Sequence, residues 1–345
     1  MDYSLQGEKH KISFENALFF SNCDAIYAYC DWKSPTVVIS DGPYGINGYR
    51  GDLLSNSGLA EWYEPHIQAW SKCSTPITTL WFWNTELGWA TVHPMIEKYG
   101  WEFKACHTWD KGMSHVAGNT NTKTIRRLPV VTEVCVQYTK KPIFDVGGNP
   151  TSMKNWLRHE WERTGLPFSK TNEACGVKNA ATRKYFTKCH LWYMPPADAF
   201  VRIAEFANAY GDPMGKPYFS INGKDSPTSA EWEKMRAKFK CPIGITNVWS
   251  ISQLRNEERL KDNLKAIHLN QKPLELISRI IDMSSDYNDV VWDPFGGLFT
   301  SAIAAWDLQR ICYSAELNPD VYQVALQRVK NVLKQGRQCT LDDVI

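Results

Sequence analysis

Short β-branched or aromatic runs alternate with longer segments that repeat an apolar residue every three to four positions, over most of the chain. KISFENAL (11–18) reads as a strand, FFSNCDAIYAYC (19–30) as helix or loop, and TVVIS (36–40) as a second strand. EWYEPHIQAWSKCS (61–74) and WATVHPMIEKYGW (89–101) have helical spacing, whereas PITTLWFWNTE (76–86), FKACHTWDKG (103–112) and LPVVTEVCVQYTKK (128–141) are strand-like. After a long interruption the alternation returns as QKPLELISRIIDMSS (helix), DVVW (strand), TSAIAAWDLQ (helix), RICYSAEL (strand) and PDVYQVALQRVKNVLKQ (helix). This order predicts an α/β fold, a doubly wound and mostly parallel sheet with helices on both faces. Both ends of the chain would build it, residues 1–148 as one half and 246–345 as the other, around an insertion at 149–245.

The insertion differs in composition. From Thr151 to His190 eight lysines and arginines face three glutamates, a local surplus larger than the +2 of the whole 345-residue chain. SKTNEACGVKNAATRKYFTK (169–188) reads as two short helices about a Gly turn, and 190–245 as an irregular, Pro- and Gly-rich stretch. With 43% hydrophobic and 22% charged residues the chain is an ordinary globule. It shows no apolar run near ~18 residues and no signal-peptide core, so a cytoplasmic protein with no membrane partner is expected. The ten cysteines form no CxxC pair and no Cys/His ligand spacing, so reduced thiols and no metal site are expected.

Two strand ends carry the chemistry. SPTVVISDGPYGI stops at Asp41-Gly42-Pro43-Tyr44, where a carboxylate, backbone carbonyls and an aromatic face meet in a turn that Pro43 constrains. An exocyclic NH₂ of a nucleobase has two hydrogens to offer such acceptors. The same residues also suit a plain capped β-turn. NDVVWDPFGGLFTSAIAAW ends its strand at Asp293 and turns through Phe295, Gly296 and Gly297 into a helix, with Glu316 about 20 residues beyond. Small residues let backbone approach a ligand there, and an acid after the next strand can accept ribose hydroxyls. Phe299 stands where a dinucleotide turn needs a small residue, which argues against a nicotinamide oxidoreductase.

Together these motifs resemble the S-adenosylmethionine-dependent amino-methylating DNA methyltransferases, in the permuted order that puts the catalytic tetrapeptide first. DGPYG resembles their (Asp/Ser)-Pro-Pro-Tyr, with Gly42 for the first Pro, and DPFGGLFTS their Asp-Pro-Phe-x-Gly-x-Gly-Thr, with Phe299 for the last Gly. FENAL resembles the short motif before the catalytic strand, with Asn16 at its usual Asp. Trp109-Asp110-Lys111 stands at a W-x-K site, and HLNQKPLELISRII resembles the helix entry beside the cofactor's methionine moiety.

The resemblance implies S-adenosyl-L-methionine as cofactor and double-stranded DNA as partner, with the target base flipped out of the helix. Asp41 and the carbonyl of Gly42 or Pro43 would hold the amine while Tyr44 stacks on the ring. Asn16, Gln271, Lys272, Pro273, Asp293, Phe295, Gly297 and Glu316 would hold the cofactor. Asp at the first tip position favours adenine N6, with cytosine N4 as the alternative. Lys178, Asn179, Arg183 and Lys184 in the second short helix would read or grip DNA, with Arg126 and Arg127 as further phosphate contacts; the same charges also suit a plain solvated helix and a wet loop. A restriction endonuclease of the same system fits the resemblance, as does either a monomer or a homodimer. A non-catalytic DNA-binding relative, its cofactor turn blocked by Phe299, is the rival expectation.

Overall fold

The computed structural model describes residues 10–47, 52–53, 55–112, 124, 126, 128–213, 215–254, 261–262, 265–266 and 271–342. The chain divides into two compact units, one made of residues 1–140 and 238–345, the other of 141–237.

Among the described residues the first unit is built on a nine-stranded sheet. β1 (His10–Phe14), β2 (Leu18–Asn22), β3 (Val37–Ser40), β4 (Thr79–Asn84), β5 (Trp101–Asp110) and β6 (Thr132–Lys140) come from its first segment. The second unit contains the hairpin of β7 (Ile143–Val146) and β8 (Asn149–Ser152). The chain then returns with β9 (Val248–Ser250), a two-residue ladder of β10 (Lys261–Asp262) with β11 (Lys265–Ala266), β12 (Val290–Asp293) and β13 (Ile311–Ala315). The large sheet runs β1-β2-β13-β12-β3-β4-β6-β5-β9. From β2 to β4 all neighbours are parallel, whereas β6 runs against both β4 and β5 and β1 runs against β2.

Helices cover both faces: α1 (Leu59–Cys73), α2 (Glu86–Lys98), α8 (Leu274–Ser284), α9 (Thr300–Asp307) and α10 (Pro319–Asp342) belong to this unit. Because strand side chains alternate, Val37, Ile39, Trp81 and Trp83 point into one core with Ile277, Phe299 and Tyr322. Val38, Leu80, Phe82 and Trp292 point into the other, with Trp70 and Trp101. The tryptophans are mostly this filling. No helix among the described residues is long and apolar enough to cross a membrane.

In the second unit, α3 (Met153–Glu162), α4 (Lys170–Ala174), α5 (Ala180–Lys184), α6 (Ala197–Tyr210) and α7 (Ser229–Glu233) enclose a core of Trp156, Trp161, Phe200, Ile203 and Trp232. Phe200 and Trp232 stack at 3.7 Å.

Several expectations are corrected here. FENAL is a reversal: Phe14 pairs with Leu18 across a two-strand hairpin, and FFSN is strand β2, clamped parallel to β13. ADAFVRIAEFANAY is no irregular stretch but helix α6, which buries Phe200, Ile203, Ala204 and Ala207 at helical spacing. The second unit begins at Lys141 rather than Asn149, because the β7–β8 hairpin packs with α3. It ends at Ala237 because Lys238 pairs with Asp286 and Asp289, and Lys240 N–H donates to Met283 O, both in the first unit.

Candidate active site

β12 and β3 lie side by side at the middle of the sheet, with Val291 opposite Val37. From β12 the chain leaves through α9 to β13 on one side, and from β3 it leaves through α1 to β4 on the other. Ligands collect at such a switch point, beyond the carboxyl ends of the strands. A cavity of about 710 Å³ opens there, lined by Asp41, Gly42, Pro43 and Tyr44 from one tip and by Asp293, Phe295, Gly297 and Glu316 from the other two. Gln271 and Lys272 line it as well. The two acidic corners therefore share one hollow.

The Asp41 tip is held from several sides. Tyr63 Oη and Asn84 Nδ2 both donate to the Pro43 carbonyl, each at 3.1 Å, which ties that oxygen into the core. Backbone N–H groups of Tyr44, Gly45, Ile46 and Leu53 converge on the Asp52 carboxylate at 2.7–3.0 Å. Gly42 is required by a close approach, since a Cβ there would lie 2.6 Å from Tyr63 Oη and 2.8 Å from the Phe295 ring.

Behind the tip sits a buried group of charges that the sequence reading missed. Lys272 Nζ donates to Asp41 Oδ1 at 2.7 Å and to Tyr44 Oη at 2.9 Å, and lies 3.3 Å from Glu133 Oε2. Lys111 pairs with Glu133 Oε1. Tyr44 Oη reaches Asp41 Oδ1 at 2.9 Å and Glu133 Oε2 at 3.0 Å, so its one proton serves two carboxylates in turn. Burial alone would raise the Glu133 carboxyl, but Lys272 and Lys111 carry it down to about 2. Burial would lower the Lys272 ammonium, yet Asp41 and Glu133 raise it above the ordinary lysine value. Burial first, and then the two carboxylates, push the Tyr44 phenol well up. An acid inside the apolar run VVTEVCV had to find a partner, and that was the overlooked signal for Glu133.

The opposite wall suits a nucleoside-bearing cation. Glu316 accepts Gly297 N–H at 3.0 Å and Asn318 N–H at 2.8 Å on separate oxygens, and it lines the cavity. Burial raises Glu316 above the ordinary carboxylate range and pushes Asp293 up to about 7. Gln271 Oε1 is buried with no hydrogen-bond partner among the described residues, an acceptor waiting for a donor. Trp62, His66 and Phe295 form an aromatic side, and burial takes His66 down to about 4, keeping it neutral.

Three expectations about this wall change. Asn16 lies in the β1–β2 turn, a strand's length from the cavity, and Cys23, Asp24 and Ala25 at the far end of β2 line it instead. Phe299 does not block the turn. It takes the left-handed conformation (φ 56°) and sends its ring into the core against Phe20 and Tyr322, at 4.4 and 5.8 Å. Pro273 precedes α8 and is buried, but it does not line the cavity.

Of the expected DNA contacts, Lys178, Asn179, Arg183 and Lys184 are exposed in the second unit, about the turn from α4 to α5. Asn172 and Thr182 lock the two helices: Thr182 N–H donates to Asn172 Oδ1 at 3.2 Å and Asn172 Nδ2 to Thr182 Oγ1 at 2.8 Å. Lys184 Nζ sits 5.7 Å over the ring of Tyr193, which stacks on Tyr185. Arg126 is exposed in the first unit, and Arg127 lies outside the described residues.

The family model N6_N4_Mtase, described as DNA methylase, matches residues 36–327, from the first tip through the last. The chain belongs to that family. S-adenosyl-L-methionine is the family's cofactor, and the cavity's paired acids, unsatisfied Gln271 acceptor and aromatic side fit it. The chain is 38% identical over 87 residues to the type II methyltransferase M.HinfI of Haemophilus influenzae, 25% of this chain and 24% of that protein. It is 36% identical over 83 residues to the DNA adenine methyltransferase YhdJ of Escherichia coli K12, 24% of this chain and 27% of that one. The chain thus spans about a quarter of each of these relatives. Among solved structures, PvuII DNA methyltransferase (cytosine-N4-specific) superposes with a TM-score of 0.50 at 12% identity over 92% of both chains, a likeness of fold.

Proposed function

We propose that this DNA methylase transfers a methyl group from S-adenosyl-L-methionine to the exocyclic amine of a base flipped out of double-stranded DNA, with N6 of adenine as the target. The observation that carries this reading is the shared cavity: Asp41 and Asp293, some 250 residues apart, open on one hollow together with Glu316. When bound, the cofactor supplies an electrophilic methyl on a sulfonium sulfur. Glu316 would accept the ribose hydroxyls, Gln271 the ammonium of the amino-acid end, and Asp293, Phe295 and Gly297 would line the region of the sulfur.

On the other side, Asp41 and the Gly42 carbonyl would accept the two amine hydrogens. Held in this way, the nitrogen lone pair faces the cofactor, and orientation supplies much of the rate. The Tyr44 ring would flank the base from its tethered position. Asp at the first tip position supports adenine, and so does a relative named for adenine methylation. The inward turn of the Phe299 ring supports an active enzyme over a non-catalytic relative.

The second unit's exposed Lys178, Asn179, Arg183 and Lys184 would read and grip the recognition sequence. Relatives named as type II methyltransferases support a restriction endonuclease as a functional partner. Expression followed by modification-sensitive sequencing of the host genome tests the reading. N6-methyladenine at one short motif is expected, whereas N4-methylcytosine, or no modified base, would contradict it.

A further inference from the structure

Two donors crowd one oxygen of Asp41. Lys272 Nζ at 2.7 Å and Tyr44 Oη at 2.9 Å both point at Oδ1, and among the described residues no donor reaches Oδ2. The ammonium that does this is only 4% exposed. It lies 5.2–6.0 Å over the rings of Trp83, Tyr44 and Trp109, so it cannot swing out to water without leaving an aromatic box. Glu133 holds it from behind, and Lys111 in turn balances Glu133, giving two cations and two carboxylates in contact. Burying four charges is costly unless geometry is fixed by such pairing. Asp41 is thus the only member of the group that both lines the cavity and presents an uncommitted carboxylate oxygen.

We propose that Lys272 is a positioning residue for methyl transfer: it pins Oδ1 of Asp41 so that Oδ2 is aimed at the target amine. Glu133 sets where Lys272 stands, and the Tyr44 hydroxyl shares the task. The sequence motif groups Lys272 with the cofactor segment, and the two roles make opposite predictions. This inference rests on the reading of Asp41 as the amine acceptor, and the test separates the two failures.

The experiment compares wild type, Lys272→Met and Lys272→Arg by single-turnover methylation of DNA and by calorimetric binding of S-adenosyl-L-methionine. As a misplaced acceptor costs on the order of 10²-fold in rate, Lys272→Met should lose about that in transfer rate while cofactor affinity stays within about threefold. Lys272→Arg, which keeps a charged donor, should recover about tenfold over Met. Loss of cofactor affinity with the saturated rate unchanged would overturn the proposal, as would an Arg variant no faster than Met when both melt like wild type. If Met does not fold because Glu133 is left unpaired, the same comparison of rate and affinity is read on Arg against wild type. Wild-type protein that methylates no DNA would remove the methyltransferase reading itself, a failure visible before any variant is made.

Discussion

Phe299 shows how one residue can break a motif and still fit the site. Its left-handed backbone costs about 1–2 kcal/mol, while burying its ring completely contributes about 1.5–3 kcal/mol. Phe299→Gly should relieve the first and forfeit the second along with a cavity term, for a net loss of about 2–4 kcal/mol in denaturant unfolding. Cofactor affinity should stay within about threefold, and a tenfold gain would show that the ring does obstruct the turn. Asp293 gives a pH signature. With its carboxyl pushed up to about 7 by burial, the folded state holds a proton that the unfolded chain has released above pH ~4. The stabilisation this gives is complete below the unfolded value and lost as pH rises through about 7. Wild type should therefore lose about 2–3 kcal/mol between pH 5 and 8 relative to Asp293→Asn, read as diverging melting temperatures in cofactor-free protein. Parallel curves would refute the shift.

Among elements, the loop after β3 depends on one side chain. Four backbone N–H groups end on Asp52, and hydrogen bonds to a charged group contribute about 1.5–3 kcal/mol. Asp52→Ala should lower stability by about 1–3 kcal/mol and slow methyl transfer about tenfold, because the Tyr44 backbone loses its anchor; an unchanged rate would make the loop irrelevant to the tip. The elements that sequence reading places correctly are those with a strong period, such as β3, β4, α8, α9 and β13. β2 escapes because Ser21 and Asn22 hide a strand whose partner, β13, is almost three hundred residues away. α6 escapes because Pro195 and Pro196 just before it draw attention to composition, although Phe200, Ile203, Ala204 and Ala207 carry the helical period. Asn16 misleads because FENAL resembles the motif around it, while the turn it makes lies at the opposite end of β2 from the residues that line the cavity.

At the scale of the whole molecule, each unit has its own core, and the basic turn belongs to the smaller one. Replacing Arg183 and Lys184 by Glu should weaken DNA binding by about 10–100-fold and reduce the slope of log affinity against log salt by about 2, one per lost phosphate contact. An unchanged slope in fluorescence anisotropy titrations would move the contact elsewhere. The convergence of the two tips was legible because each is an apolar run cut off by an acid and a turn. The Lys272–Glu133–Lys111 group was not, because its members come from three segments that only the fold brings together. The most direct test of the shared cavity is Asp41→Ala, measured for S-adenosyl-L-methionine binding by calorimetry and for methylation of genomic DNA. The account predicts cofactor affinity within about threefold of wild type and transfer reduced by at least about 10³-fold, since the amine loses its charged acceptor. Methylation at the wild-type rate would contradict it.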